Sequence, residues 1–182
     1  MPGEKMMDLK TGKTGEELDF GGIMRALHDV FQTETSFSDQ SRQVLKEIIC
    51  EPDIDKLPKY FSWKKISSGN LLWKEGEHEN PLGLILKGEI RLLKETGFQE
   101  KGVVIGVFRP VTIVGEISFI DGYPQPFSAK ATLDTELFLI SHENLKKLME
   151  DYPRLGAKMV QGLLVLFSKR LRTALDRVAA CF

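Results

Sequence analysis

The residues whose types and spacing suit ligand chemistry lie in one stretch near the middle of the chain. A short apolar run ends at Val114, Gly115 and Glu116 follow as a corner, and one apolar turn of helix leads to a turn at Pro124 and a second strand. An ionised carboxylate at such a corner is a hydrogen-bond acceptor. The structural alternative is that Glu116 caps the short helix or pairs with a nearby lysine.

Residue types that catalysis or metal binding requires are sparse. The histidines His28, His78 and His142 form no His-x-His pair, and no CxxC, HExxH, GxSxG or GxxxxGK[ST] motif occurs. Cys50 and Cys181 are far apart in sequence, which is typical of a protein in a reducing cytoplasm. We therefore expect neither enzymatic activity nor a metal. A metal-dependent enzyme on a similar β-fold is the alternative, and it requires ligands clustered on neighbouring strands.

Composition and charge argue against several classes of partner. The chain has 25 Lys and Arg against 26 Asp and Glu, a net charge of −1, which provides no general attraction to nucleic acid or to an anionic membrane. No apolar run approaches the roughly 20 residues that cross a bilayer. The amino terminus has no apolar signal core. We expect a cytoplasmic protein that binds neither nucleic acid nor a membrane directly.

The chain of 182 residues divides into three predicted segments. Residues 1–57 combine a polar, flexible start with two helices at about 16–32 and 38–50 and a linker over 53–58. Residues 58–151 show short apolar strands separated by glycine turns. The predicted strands are 61–66, 71–74, 82–86, 89–94, 102–108, 111–114, 128–133 and 136–140, with a hairpin loop over 97–100. After the last strand, Ser141 suits the cap of a helix that runs to about Asp151. Strands of this number and spacing indicate a mainly β fold, a barrel or jelly roll, with flanking helices.

Residues 152–182 are predicted to form a long carboxy-terminal helix. Pro153 suits its first turn, and apolar residues recur along it at the strict three-four spacing of a coiled-coil seam. The seam comprises Ala157, Val160, Leu164, Phe167, Leu171, Ala174, Val178 and Cys181. We expect a symmetric homodimer along this seam, and the alternative is a helix that packs on its own barrel. We interpret the cations of this helix as a solvated face rather than a nucleic-acid stripe.

Several segments occur in an order that resembles the cyclic nucleotide-binding domain family over about residues 58–182. They are Gly69 to Leu72 with Glu75-Gly76, Leu84 to Ile90, Gly115-Glu116, Ala129 with Ala131, Leu137 to Ile140, and Lys169 to Leu171. The resemblance implies an eight-stranded double-stranded β-helix, a jelly-roll-like barrel, with flanking helices. Bacterial regulators of this family carry a helix-turn-helix after the long helix. Because the sequence ends at Phe182, we expect no such DNA-reading module.

The resemblance also implies where a ligand binds. In the family the Gly-Glu pair binds the ribose of a cyclic nucleotide, while backbone N–H groups and an Arg after the Pro bind the cyclic phosphate. Here Gln125 replaces that Arg, Pro126 has no N–H to donate, and Phe127 is bulky. Lys130 is the nearest cation, unless it is a solvated strand lysine, and Arg170 of the long helix is a candidate to line the pocket. The candidate ligand-binding residues are Gly115, Glu116, Ile117, Ser118, Gln125, Phe127, Ser128, Lys130 and Arg170.

Two functions fit this altered site. The first is a non-catalytic, dimeric regulatory module that binds cAMP or cGMP weakly, or binds another small ligand. Losing one hydrogen bond to a charged group costs about 1.5–3 kcal/mol, which is roughly tenfold to a hundredfold in affinity. The alternative is a protein–protein interaction module with a degenerate pocket and an unknown protein partner. A pocket filled by Gln125 or Phe127 favours the alternative, and an open polar pocket favours the sensor.

Overall fold

The computed structural model describes residues 54–79, 81–96, 99–110 and 112–180. The helices predicted within residues 16–50 lie outside this part of the chain, as does Cys181 of the predicted seam. In chain order the elements are a 3₁₀ helix Ile54–Tyr60, strands β1 Ser62–Ile66, β2 Leu71–Trp73, β3 Leu82–Lys87, β4 Ile90–Thr96, β5 Gln99–Phe108 and β6 Ile113–Val114, helix α1 Glu116–Asp121, strands β7 Ser128–Ala131 and β8 Thr135–Ile140, and helices α2 His142–Asp151 and α3 Pro153–Ala179.

The strands form two antiparallel four-stranded sheets around a shared core. One sheet has the order β1-β8-β3-β6 and the other has the order β2-β7-β4-β5. Both sheets contribute to one apolar cluster, which contains Ile66, Leu72, Trp73, Ile85, Ile90, Val114, Ala129, Ala131 and Leu137. Short apolar runs separated by glycine turns predicted these strands, because such runs supply side chains to a core of this kind. The mainly β, jelly-roll-like fold with flanking helices is confirmed.

A second apolar cluster joins the helices to one end of the barrel. Leu57 and Tyr60 of the 3₁₀ helix pack there with Phe119 of α1, Leu148 of α2 and Leu163 of α3. The prediction of a linker over 53–58 was therefore wrong for the residues described, since residues 54–60 form a 3₁₀ helix and Leu57 within the predicted linker is buried. The predicted hairpin loop over 97–100 was too long, because Gln99 and Glu100 already belong to β5.

Helices α2 and α3 begin where their capping residues predict. The Ser141 side chain accepts a hydrogen bond from the Asn144 N–H at 3.1 Å, which caps α2. Pro153 occupies the first turn of α3. No helix among the described residues is both long enough and apolar enough to cross a membrane.

The long helix α3 buries only its first turns within the chain. Leu155 and Leu163 are buried, and Met159 and Val160 pack partly against the same cluster. Further along, Val165 and Leu166 are half-buried, and five large apolar side chains are 40–59% exposed, namely Leu164, Phe167, Leu171, Leu175 and Val178. The barrel therefore covers the amino-terminal part of α3 and leaves most of the predicted seam uncovered.

Candidate functional site

Residues 114–131, called the cassette below, contain α1, the Pro turn and β7. The chain enters α1 at Gly115, whose φ of 85° lies in the left-handed region that favours glycine. A Cβ at this position would lie 2.6 Å from the carbonyl oxygen of Pro81 and 3.0 Å from the Trp73 ring. The corner before Glu116 therefore requires glycine for both its conformation and its packing.

Glu116 is bound by an arginine from the long helix. Its side chain is only 7% exposed, and it forms an ion pair with Arg170 of α3. Arg170 also donates from Nη2 to the carbonyl oxygen of Ile113 at 2.6 Å, and its guanidinium lies 4.7 Å from the centroid of the Phe108 ring. The partner of Glu116 is thus a cation on α3, rather than the nearby lysine that the sequence alternative named.

Gln125 forms part of the scaffold of the cassette. It is 3% exposed. Its Oε1 accepts from the Ser118 hydroxyl at 3.2 Å, and its Nε2 donates to the carbonyl oxygen of Glu79 at 3.3 Å. Its backbone N–H donates to the Glu77 carbonyl oxygen at 2.8 Å. The residue in the arginine position therefore joins α1 to the loop after β2, with both ends of its amide bonded to the protein.

The end of the Pro turn is also bonded to β2 and the loop that follows it. The Trp73 indole N–H donates to the Phe127 carbonyl oxygen at 3.1 Å. The Ser128 hydroxyl accepts from the Glu75 N–H at 2.9 Å. Phe127 is partly buried, and Ile117 on the outer side of α1 is 37% exposed. These bonds keep the candidates Phe127 and Ser128 beside β2.

Lys130 lies on the opposite face of β7 from the core alanines. Ala129 and Ala131 are fully buried, whereas Lys130 is paired in register with Arg91 and Leu71 of the neighbouring strands. Directly opposed residues share one face of a sheet, and Arg91 is 46% exposed on that face. The structure therefore does not bring Lys130 to Glu116.

A cation that sequence reasoning missed contacts the cassette instead. Lys94 of β4 forms an ion pair with Glu75 and donates to the carbonyl oxygen of Pro126 at 3.2 Å. The hydrogen bond from Lys94 is the main reason that the pKa of Glu75 lies below its usual value. The available signal was the alternation Ile90, Leu92, Lys94, which places the lysine on the inward face of β4.

Metal ligands are not assembled in the part of the chain that the structure describes. No three His, Cys, Asp or Glu side chains lie close enough there to hold an ion. The polar groups of the cassette instead pair with one another and with neighbouring strands and helices, so hydrogen bonding and charge pairing are the chemistry that this arrangement provides.

Comparison with known proteins identifies the family of this region. Residues 63–152 match the family model described as the cyclic nucleotide-binding domain. The chain is 28% identical over 123 residues to a cyclic AMP receptor protein of Thermus thermophilus, a match that covers 67% of this chain and 54% of that protein. It is 25% identical over 116 residues to a lysophospholipase of Phaeosphaeria nodorum, with 64% of this chain and 7% of that protein covered.

A solved structure shows the same fold. The crystal structure of a cyclic nucleotide-binding domain from Methylobacillus flagellatus superposes with a TM-score of 0.67 at 25% identity, and the match covers 88% of this chain and 85% of that one. The chain spans about half of the cyclic AMP receptor protein and a small part of the lysophospholipase. Through residues 63–152, which hold the barrel and the cassette, the chain belongs to the cyclic nucleotide-binding domain family.

Proposed function

We propose that this protein is a non-catalytic regulatory module that senses a small ligand at the cassette and reports its binding through α3. In this proposal the module is a cytoplasmic homodimer that assembles along the α3 seam. Its ligand is a weakly bound cyclic nucleotide or another small molecule that presents a hydroxyl group to Glu116.

The observation that carries the proposal is the ion pair between Glu116 and Arg170. A ligand hydroxyl group that donates to the Glu116 carboxylate must displace the guanidinium of Arg170 or share the carboxylate with it. Because Arg170 lies on α3, ligand binding and the packing of α3 on the barrel become linked equilibria. The link requires no catalysis, only two arrangements of one ion pair.

The surroundings of Gln125 support weak binding of a cyclic nucleotide. Its amide is already bonded to Ser118 and Glu79, and it carries no charge to offer a phosphate. Pro126 lacks the N–H that a small residue would provide there. On this basis we expect dissociation constants of about 0.01–1 mM for cAMP or cGMP, compared with low-micromolar binding when a charged donor is present.

The uncovered seam supports the proposal of a dimer. Leu164, Phe167 and Leu171 are 40–59% exposed in the single chain, and a row of exposed apolar residues of this kind is typical of a contact surface. A parallel copy of α3 presents the same spacing, so a symmetric coiled coil buries both rows. A dimer along α3 also places the helix that holds Arg170 between the cassette and the partner subunit.

The same contacts favour a second candidate function, an interaction module without a small ligand. Glu116 is bonded to Arg170, and Gln125 to Ser118 and Glu79, so these polar groups already have partners within the protein. In such a module the cassette only holds α3 against the barrel, and α3 binds a protein partner.

Calorimetric titration with cAMP and cGMP up to millimolar concentration separates the two functions. Saturable binding that weakens at least tenfold in Glu116→Gln supports the sensor. The matched control is Glu143→Gln on α2, where the carboxylate is 75% exposed and pairs only with Lys147 among the contacts described, so binding should not change. The absence of heat with either nucleotide, for a folded protein, contradicts the sensor for cyclic nucleotides and favours the interaction module.

A further inference from the structure

We propose that Lys94 is the cation that binds an anionic ligand group at the cassette, and that the Glu75 carboxylate pairs with Lys94 in the absence of ligand as an internal competitor. The ligand group that takes the place of the Glu75 carboxylate is a phosphate. This inference rests on the proposed sensor function, and it assigns that function a binding residue outside the cassette.

The position of Lys94 follows from the register of β4 on β7. Ile90 lies opposite Ala131 and Leu92 lies opposite Ala129, and both alanines are fully buried. Side chains two residues apart on a strand share a face, so Lys94 extends this inward row by one step. Its side chain meets the cassette at the point where the Pro turn leads into β7.

The contacts of the Lys94 ammonium group place it beside the residue that replaces the family arginine. Its Nζ donates to the carbonyl oxygen of Pro126 at 3.2 Å and lies 5.9 Å from the centroid of the Phe127 ring. Pro126 directly follows Gln125. The positive charge missing at position 125 is therefore supplied next to the turn by a different strand.

Glu75 is held against this cation by the loop after β2. One carboxylate oxygen accepts from Lys94, and the other accepts from the Glu95 N–H at 3.0 Å. The backbone of the loop is fixed to the cassette, because the Glu75 N–H donates to the Ser128 hydroxyl at 2.9 Å and the Gly76 N–H donates to the Gln125 carbonyl oxygen at 2.8 Å. An anionic group of the protein thus occupies the position where an anionic ligand would meet Lys94.

The Lys94–Glu75 pair is exposed enough for a ligand to exchange with it. The side chain of Lys94 is 42% exposed and that of Glu75 is 23% exposed. Ion pairs that water reaches contribute little net stability, and phosphate oxygens accept charge-assisted hydrogen bonds from lysine at least as well as a carboxylate does. A phosphate must therefore compete with the Glu75 carboxylate for Lys94. This competition lowers the affinity for a phosphate without preventing its binding.

Four variants of the full chain test the assignment, with cAMP as the anionic probe and adenosine as a neutral analogue without the phosphate. Glu75→Gln removes the competing charge, and we expect it to bind cAMP about tenfold more tightly than wild type. Lys94→Gln should bind cAMP about tenfold more weakly, whereas Lys94→Arg keeps the charge and should stay within about threefold. The matched control Lys130→Gln, on the outer face of β7, should leave cAMP affinity unchanged. Adenosine should bind all of these proteins equally.

The results that overturn this inference differ from those that overturn the sensor. If Lys94→Gln binds cAMP as wild type does, or if Glu75→Gln changes the affinities for adenosine and cAMP by the same factor, Lys94 does not bind the phosphate, and the sensor proposal stands. If neither probe binds wild type or Glu75→Gln at millimolar concentration, this inference fails, and so does the sensor proposal for cyclic nucleotides. Thermal unfolding of each variant without ligand shows whether a loss of binding reflects a loss of fold.

Discussion

Arg170 of α3 and Glu116 of α1 form an ion pair that ties the long helix to the first residue of the cassette helix. The two residues are far apart in sequence, and the pair is shielded from water on the Glu116 side, where the carboxyl is only 7% exposed. The pair joins the part of the molecule that suits a ligand to the part that suits a partner subunit. Its energetic coupling can be measured directly.

A double-mutant cycle measures that coupling. Arg170→Met leaves a buried carboxylate without its cation, and since Arg170 is itself 23% exposed we expect a loss of about 2–3 kcal/mol in the free energy of unfolding. Glu116→Gln combined with Arg170→Met should recover most of that loss, because no unpaired charge remains. Urea denaturation at fixed protein concentration measures the free energy of unfolding of the wild type, the two single variants and the double variant. Additive losses would show that the two side chains are not coupled.

Gly115→Ala should destabilise the protein more than Gly122→Ala. Both glycines have φ in the left-handed region, 85° and 73°, which costs an alanine about 1–2 kcal/mol. At Gly122 a Cβ meets no atom within 4 Å, whereas at Gly115 it would lie 2.6 Å from the Pro81 carbonyl oxygen. We expect this clash to add about 1–3 kcal/mol to the loss at Gly115. Equal shifts in the urea midpoint of the two variants would show that the corner relaxes freely.

Gln125→Leu should destabilise the fold even without any ligand. The change leaves the Ser118 hydroxyl and the Glu79 carbonyl oxygen without their bonds to the Gln125 side chain, and we expect a loss of about 1–3 kcal/mol. Gln161→Leu, the same change at an exposed position on α3, should shift stability by about 0.5 kcal/mol or less. Chemical denaturation of both variants provides the comparison. If the two shifts match, Gln125 is not a structural crosslink.

Stability should fall on acidification, partly through Glu89. Hydrogen bonding from Thr132, with contributions from Arg91 and Arg109, holds the pKa of Glu89 below its ordinary value of 4.5. A carboxyl whose pKa is lower in the folded state contributes stability above its unfolded pKa, and this contribution is lost as pH falls through the folded value. Thermal unfolding between pH 7 and pH 3 should therefore show a shallower decline for Glu89→Gln than for wild type. Parallel declines in the two proteins would rule out this role for Glu89.

The oligomeric state should depend on the seam of α3. Leu171→Glu places a carboxylate in the exposed apolar row, and in a symmetric dimer it places two like charges together. We expect sedimentation velocity at micromolar concentration to change from dimer to monomer. Thr173→Glu adds the same charge off the seam, on the same exposed stretch of helix, and should leave the dimer intact. A wild-type protein that sediments as a monomer would remove the dimer from the proposed function.

Most of the barrel was predictable from local sequence, whereas its contacts across the chain were not. The short run 89–94 between glycine turns predicted β4, and Ser141 and Pro153 predicted where α2 and α3 begin, because turn residues and capping depend on neighbours in sequence. The linker prediction failed because Leu57 is buried against helices that come much later in the chain. Local composition carries no signal for that burial.

The sequence by itself determined the fold family and the cassette, through Gly115-Glu116 and the spacing of the strands, and it placed Gln125 where the resemblance implies an arginine. Only the tertiary structure decided the partners of these residues. Arg170 reaches Glu116 and Lys94 reaches Pro126, while Lys130 lies on the outer face of β7. The physical reason is that strand and helix patterns depend on near neighbours, but ion pairs depend on sheet register and helix packing, which bring distant residues within a few ångströms.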